Sequence, residues 1–155
     1  MHNFRHRARG FTLLELLVVV VIAAILVSLA ALQLGANPNR DLQDESERLA
    51  QLFESANDEA HLRAHLWAWE PGAQGYRFLE RRDGTWVTRT ESPFEPHRWP
   101  SGVTGYSIRL NGSNQTQNTV VFGAESVPLP VIVTLQGETR SATVVALGNG
   151  RYAAQ

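Results

Sequence analysis

A chain of 155 residues has room for one domain plus an N-terminal segment and leaves little for a second independent core. The absence of cysteine excludes thiolate metal sites and disulfides. The formal charge is −1, and subtracting the three charges of Arg5, Arg7 and Arg9 leaves −4 on everything from Phe11 onward, so the clustered Lys/Arg footprint of a nucleic-acid binder is missing.

The first ten residues are polar and basic, and from Phe11 to Leu32 the chain is almost wholly apolar. No charge occurs between Leu16 and Leu34, which matches the roughly 20 residues a helix needs to cross the hydrocarbon core. Arginines ahead of such a run hold that end in the cytoplasm and place the chain beyond Leu34 on the far side. Glu15 does not suit a plain anchor, because a carboxylate at the bilayer centre costs about 2–4 kcal/mol and normally marks a functional pairing. A cut after Gly10 would create an α-amino group on Phe11. That cation could meet Glu15 at i,i+4 in the same helix, or Glu15 of a neighbouring helix displaced along the axis.

Gly10-Phe11-Thr12-Leu13-Leu14-Glu15, between a short basic leader and an unbroken apolar helix, resembles the signature of type IV prepilins and pseudopilins. The resemblance implies cleavage by a prepilin peptidase between Gly10 and Phe11, N-methylation of Phe11, and a role for Glu15 in docking into a growing filament. Two plainer readings compete: a secretory signal cut after Ser28-Leu29-Ala30, and an uncleaved signal anchor. Neither accounts for Glu15.

Gly35-Ala-Asn-Pro38-Asn breaks the helix, since Pro38 lacks a backbone donor and disfavours helix at Asn37. A second helical pattern follows and is predicted to reach about Leu66. Leu42, Leu49, Leu52, Phe53, Ala56 and Ala60 form its apolar face. Asp41 is the predicted N-cap, and Asp44–Arg48 and Glu59–Arg63 are predicted i,i+4 pairs.

From Trp67 the period becomes alternating. Trp67 and Trp69 share a face, Glu70–Gly75 forms a turn, and Tyr76 and Phe78 oppose Arg77 and Leu79. Arg82-Asp83-Gly84-Thr85 reads as a hairpin turn into Trp86-Val87. After a loop over 92–102, strands are predicted at Val103–Leu110, Thr119–Gly123, Leu129–Leu135 and Arg140–Leu147. Asn111–Asn118 is a polar hairpin loop. The fold class is therefore α+β and pilin-like. A long N-terminal helix, half transmembrane and half amphipathic, is packed against an antiparallel β-sheet or sandwich head. The divisions are 1–10 leader, 11–34 transmembrane and assembly helix, 35–66 amphipathic helix, and 67–155 β-rich head.

The helix end Ala60-His-Leu-Arg-Ala64, the strand Gly75-Tyr-Arg-Phe78, the Trp86 strand and Arg98-Trp-Pro-Ser-Gly-Val103 together resemble the general secretion pathway H class, minor pseudopilins of type II secretion. Trp99 stands where that family usually carries Leu. The resemblance implies a structural subunit in the bacterial inner membrane with its head in the periplasm, promoting export of folded proteins. Its implied partners are the major and other minor pseudopilins, the prepilin peptidase, the inner-membrane secretion platform, the lipid bilayer and the exported proteins. Nucleic acid is not among them. A minor pilin of a type IV pilus, serving pilus assembly or DNA uptake, is the alternative, and an anchored periplasmic binding domain is a third.

No catalytic chemistry is legible. His61 and His65 stand at i,i+4, but Leu62 occupies the position where a metalloprotease helix needs Glu. No nucleophile elbow, P-loop or dinucleotide fingerprint occurs. The expectation is no enzyme, no cofactor and no metal. Trp67, Trp69, Trp86 and Trp99 are expected in the core or at a subunit contact.

Overall fold

The computed structural model describes residues 13–34, 38–110, 117–123 and 131–155, with side chains omitted for 29–34 and 38. It divides into two compact units, Met1–Ala36 and Asn37–Gln155. The first holds helix α1, Leu13–Leu34. The second holds helix α2 (Pro38–Arg63) and strands β1 (Trp67–Gly72), β2 (Gly75–Arg82), β3 (Thr85–Thr88), β4 (His97–Arg98), β5 (Gly105–Leu110), β6 (Val120–Phe122), β7 (Val131–Gln136), β8 (Ser141–Gly148) and β9 (Arg151–Ala154).

Helix α2 opens on Pro38, whose missing N–H costs nothing at a helix start. Asp41 is therefore not the N-cap. It lies inside the first turn, where its charge suits the positive helix end, and its Oδ2 accepts from Ser101 Oγ at 3.1 Å. The predicted apolar face is buried as a unit, from Leu42 to Ala60. The pair Glu59–Arg63 forms at 2.5 Å. Asp44–Arg48 does not, because Arg48 turns toward the sheet, donating to the Tyr76 hydroxyl at 2.7 Å and approaching Glu45 at 3.8 Å.

The helix stops at Arg63, short of Leu66. Ala64 is left-handed (φ 53°), its N–H donates to the His61 carbonyl at 3.4 Å, and the His65 N–H donates to the Ala60 carbonyl at 3.2 Å. This paired closure satisfies carbonyls that the last turn would otherwise leave open. It also turns the chain inward, so that Trp67 enters the core fully buried.

One antiparallel sheet has the order β3-β2-β1-β6, with β4 joined to the free stretch of β2. The other has the order β5-β7-β8-β9. In the first, Trp67 stands opposite Glu80 and Trp69 opposite Phe78, which fixes one face of the sheet toward the core. The β2–β3 turn forms as predicted, with Asp83 (φ 48°) and Gly84 (φ 80°) supplying the positive angles that a tight hairpin turn of this hand requires. The four later strands lie within two residues of their predicted bounds where described. Most of the polar loop at Asn111–Asn118, and the start of the predicted Leu129 strand, lie outside the described residues.

Two strands were not anticipated. Strand β4 lies in the stretch read as loop, held because Gly75 lets the backbone of His97 press against it. A Cβ there would collide with the His97 carbonyl oxygen. Strand β9 is reached through Asn149 (φ 52°) and Gly150 (φ 74°). Asn-Gly is the strongest short hairpin signal, and it was present in the sequence.

The core lies between α2 and the inner faces of both sheets, with Phe53 at its centre. The Phe53 ring lies 5.2 Å from Trp69, 5.3 Å from Phe122 and 5.4 Å from Tyr152, the Trp69 and Tyr152 contacts being edge-on. Trp99 joins the two sheets' aromatic layer, with its indole N–H donating to the Gly72 carbonyl at 2.9 Å.

Candidate assembly site

Gly10 and Phe11, the predicted cleavage and methylation positions, lie outside the described residues. Glu15 lies within them, in the first turn of α1, where a carboxylate meets the positive end of the helix dipole. Every side chain described in α1 is exposed, from Leu13 at 90% to Ser28. A helix apolar on all sides has no water-facing stripe and must be covered by lipid or by other helices. Among the described residues no helix is long and apolar enough to cross a membrane, and the described side chains of α1 end at Ser28, short of the roughly 20 residues that a span needs.

In the second unit the charges form three ties. The first centres on Glu80, which the alternation of β2 delivers to the core face at 1% exposure. His65 Nδ1 lies 2.9 Å from its Oε1, while Arg82 Nη2 and Arg89 Nη1 lie 2.7 and 3.1 Å from its Oε2. Arg89 also donates to Glu91 at 2.7 Å and stacks 5.3 Å over the Trp67 ring. Burial pushes the Glu80 carboxyl upward, but the hydrogen bonds from His65 and Arg82 and the charges of Arg82 and Arg89 outweigh it. The net direction is below the usual carboxylate range. His65, predicted inside the helix, stands beyond its end and, though half exposed, faces the Glu80 carboxylate.

The second tie joins α2 to β9. Glu54 Oε1 accepts from the Tyr152 N–H at 3.0 Å and from Arg151 Nε at 2.9 Å. The backbone bond from Tyr152 is the main reason that the Glu54 carboxyl is lowered. Tyr152 itself is pushed up to about 12 by burial. In the third tie His97 Nε2 lies 3.3 Å from Glu45 Oε2, beside the Tyr76 hydroxyl, whose ionisation is suppressed by burial and by the Glu45 charge. All three fasten one part of the chain to another. Among the described residues no group of three or more His, Asp or Glu is placed to hold a metal.

The four tryptophans divide. Trp67 and Trp69 are core and Trp99 is partly buried, whereas Trp86 is 41% exposed on the outer face of the first sheet. There it borders a depression of about 350 Å³ with Leu79 and Ala68 in its floor and Val121 on the far side.

An apolar helix with a single acid in its first turn, together with an α+β head built on an amphipathic helix, defines a pilin-like subunit. Residues 5–31 match the prokaryotic N-terminal methylation motif. A Pseudomonas aeruginosa protein, type II secretion system protein H, is 52% identical over 137 aligned residues, spanning 78% of this chain and 80% of the relative. The chain belongs to the type II secretion system protein H family. No solved structure matches it.

Proposed function

We propose that this chain serves as a minor pseudopilin of a type II secretion pseudopilus, a structural subunit that promotes export of folded proteins across the outer membrane. The observation that carries this reading is the 52% identity to a type II secretion system protein H over most of both chains. The methylation motif at residues 5–31 supports it independently. Residues 1–10 act as the leader, 11–34 as the inner-membrane and assembly helix, 35–66 as the amphipathic helix that continues into the head, and 67–155 as the β-rich periplasmic head. Prepilin peptidase cuts between Gly10 and Phe11, and the new amine of Phe11 is methylated. Glu15 pairs with such an amine, which removes the cost of an uncompensated acid in an apolar setting and fixes the axial offset between subunits. The partners are the major and other minor pseudopilins, the secretion platform and the bilayer, with motion supplied from elsewhere.

Deletion of the gene tests the reading. Secretion should fail while surface pili persist. Normal secretion with lost pili would transfer the chain to a type IV pilus.

A further inference from the structure

Strand β3 ends the first sheet on its side, and among the described residues β2 is its one neighbouring strand. Backbone groups in an antiparallel pair face the partner and face away at alternate residues. The Arg89 N–H donates to the Phe78 carbonyl at 2.8 Å, and the Arg81 N–H points the other way, to the Leu66 carbonyl at 2.8 Å. Both bonds fix the same phase: Val87 faces β2, while the N–H and C=O of Trp86 and Thr88 face outward. Among the described residues no other backbone group reaches them. The outer strands of the second sheet are met differently. Ile108 of β5 accepts from the Gln117 N–H at 3.2 Å, and the Tyr152 N–H of β9 is held by Glu54 at 3.0 Å.

The side chains of β3 are as open as its backbone. Trp86 is 41% exposed on one face of the sheet and Val87 43% on the other. Thr85-Trp86-Val87-Thr88 contains neither charge nor proline, the devices by which an edge strand usually refuses a neighbour. A helix laid on either face would cover only one of the two apolar residues. A strand laid alongside covers both, because its own side chains alternate between the faces, and it takes up the outward N–H and C=O groups as well. Arg81 stands opposite Trp86 on the outer face, exposed and without an ion pair among the described residues. An added strand would lie about 9–10 Å from β2, within the combined reach of an arginine and an acidic side chain. A second copy offering its own β3 would bring no acid to Arg81, since that strand carries none.

We infer that β3 is extended by a strand from a different filament subunit, whose segment sets apolar residues beside Trp86 and Val87 and a carboxylate toward Arg81. The backbone of Trp86 and Thr88 supplies the hydrogen bonds, while the two exposed side chains and Arg81 select the segment. The inference rests on the assembly reading for the source of the strand, and it asks for a partner of another kind, as a minor subunit among several has.

Thr88→Pro tests this directly. It removes an outward N–H and leaves the bonds to β2 intact, which a proline at a sheet edge allows, whereas Thr88→Val keeps the N–H. Full-length chains carrying a benzophenone analogue of phenylalanine at Val87, or at Trp86, are produced in the deletion strain and irradiated in intact cells. Should a probe itself block secretion, it is moved to Thr85 on the same strand. The two probes are expected to capture neighbouring residues of one segment in one other subunit, with Asp or Glu within two residues, as mass spectrometry of the linked peptides reads. Thr88→Pro should lower the yield at least fivefold at an unchanged urea midpoint, Thr88→Val should not, and Arg81→Glu should lower it too. If Thr88→Pro shifts the midpoint, Arg81→Glu decides, and full yield with that variant overturns the inference. Three other results overturn it and leave the assembly reading standing: capture of a second copy or of an exported protein, a yield indifferent to Thr88→Pro, or no adduct from chains that support secretion. Normal secretion by the deletion strain overturns the assembly reading instead, and the strand pairing then stands or falls on the Thr88→Pro yield.

Discussion

Arg89 meets Glu80 at 3.1 Å at the end of the core, where the carboxylate is 1% exposed and the guanidinium lies over Trp67. A buried carboxylate between cations is tolerable only while each charge keeps its partner. Replacing Glu80 by Ala strands Arg89, and a cost of about 3–5 kcal/mol is expected. Glu91 still holds the other side of the guanidinium, which favours the lower end of that range. Urea unfolding followed by tryptophan fluorescence measures it, with Trp67 as the adjacent reporter.

The same carboxylate sets a pH dependence. Its folded value is lowered, so the stability it adds is complete above the unfolded value of about 4.3 and is lost as pH falls through the lower folded value. The wild-type chain should weaken progressively below about pH 4.3. Glu80→Gln should be less stable at neutral pH and show a shallower loss in acid. Unfolding midpoints from pH 7 down to pH 3 check this, and equal slopes for the two chains would remove Glu80 from the explanation.

Glu54 closes β9 onto α2 chiefly through the Tyr152 N–H rather than through Arg151. A hydrogen bond to a charged acceptor contributes about 1.5–3 kcal/mol, whereas an exposed ion pair contributes about 0–1 kcal/mol. Glu54→Ala should therefore cost more than Arg151→Ala and should release the Tyr152 amide to exchange. Amide exchange by NMR distinguishes them, because Arg151→Ala should leave that amide protected.

Phe53 contacts aromatic rings from β1, β2, β6 and β9 at once. Phe53→Ala leaves a cavity that rings held by both sheets cannot collapse to fill, and a loss of about 3–5 kcal/mol is expected from thermal or urea unfolding.

Glu15→Ala should abolish assembly without touching the head. The protein should accumulate in the membrane with its leader removed and an unchanged unfolding midpoint, while secretion is lost. Substitution at Gly10 should instead leave the leader in place, as mass spectrometry of the purified chain would read. Retained secretion by Glu15→Ala would remove the pairing role.

The turn at Asp83-Gly84, the apolar face from Leu42 to Ala60 and the Tyr76/Phe78 alternation were all legible because each depends on neighbours within one turn or one hairpin. So was the methylation motif, since Gly10, Phe11 and Glu15 stand together in the chain, while the H-class resemblance was carried by short runs of the head, Ala60–Ala64, Gly75–Phe78, Trp86 and Arg98–Val103. Asn149-Gly150 carried its hairpin signal too, and β9 could have been read from it. The sequence alone could not say that Arg48 would leave Asp44 for Tyr76, that His65 would leave the helix to face Glu80, or that His97 would add a strand opposite Tyr76. Partners 28, 15 and 21 residues apart are brought together only when Trp67, Trp69 and Phe53 close the core. Local periodicity fixes which face each element presents; which charges then meet across that face depends on how the faces are packed.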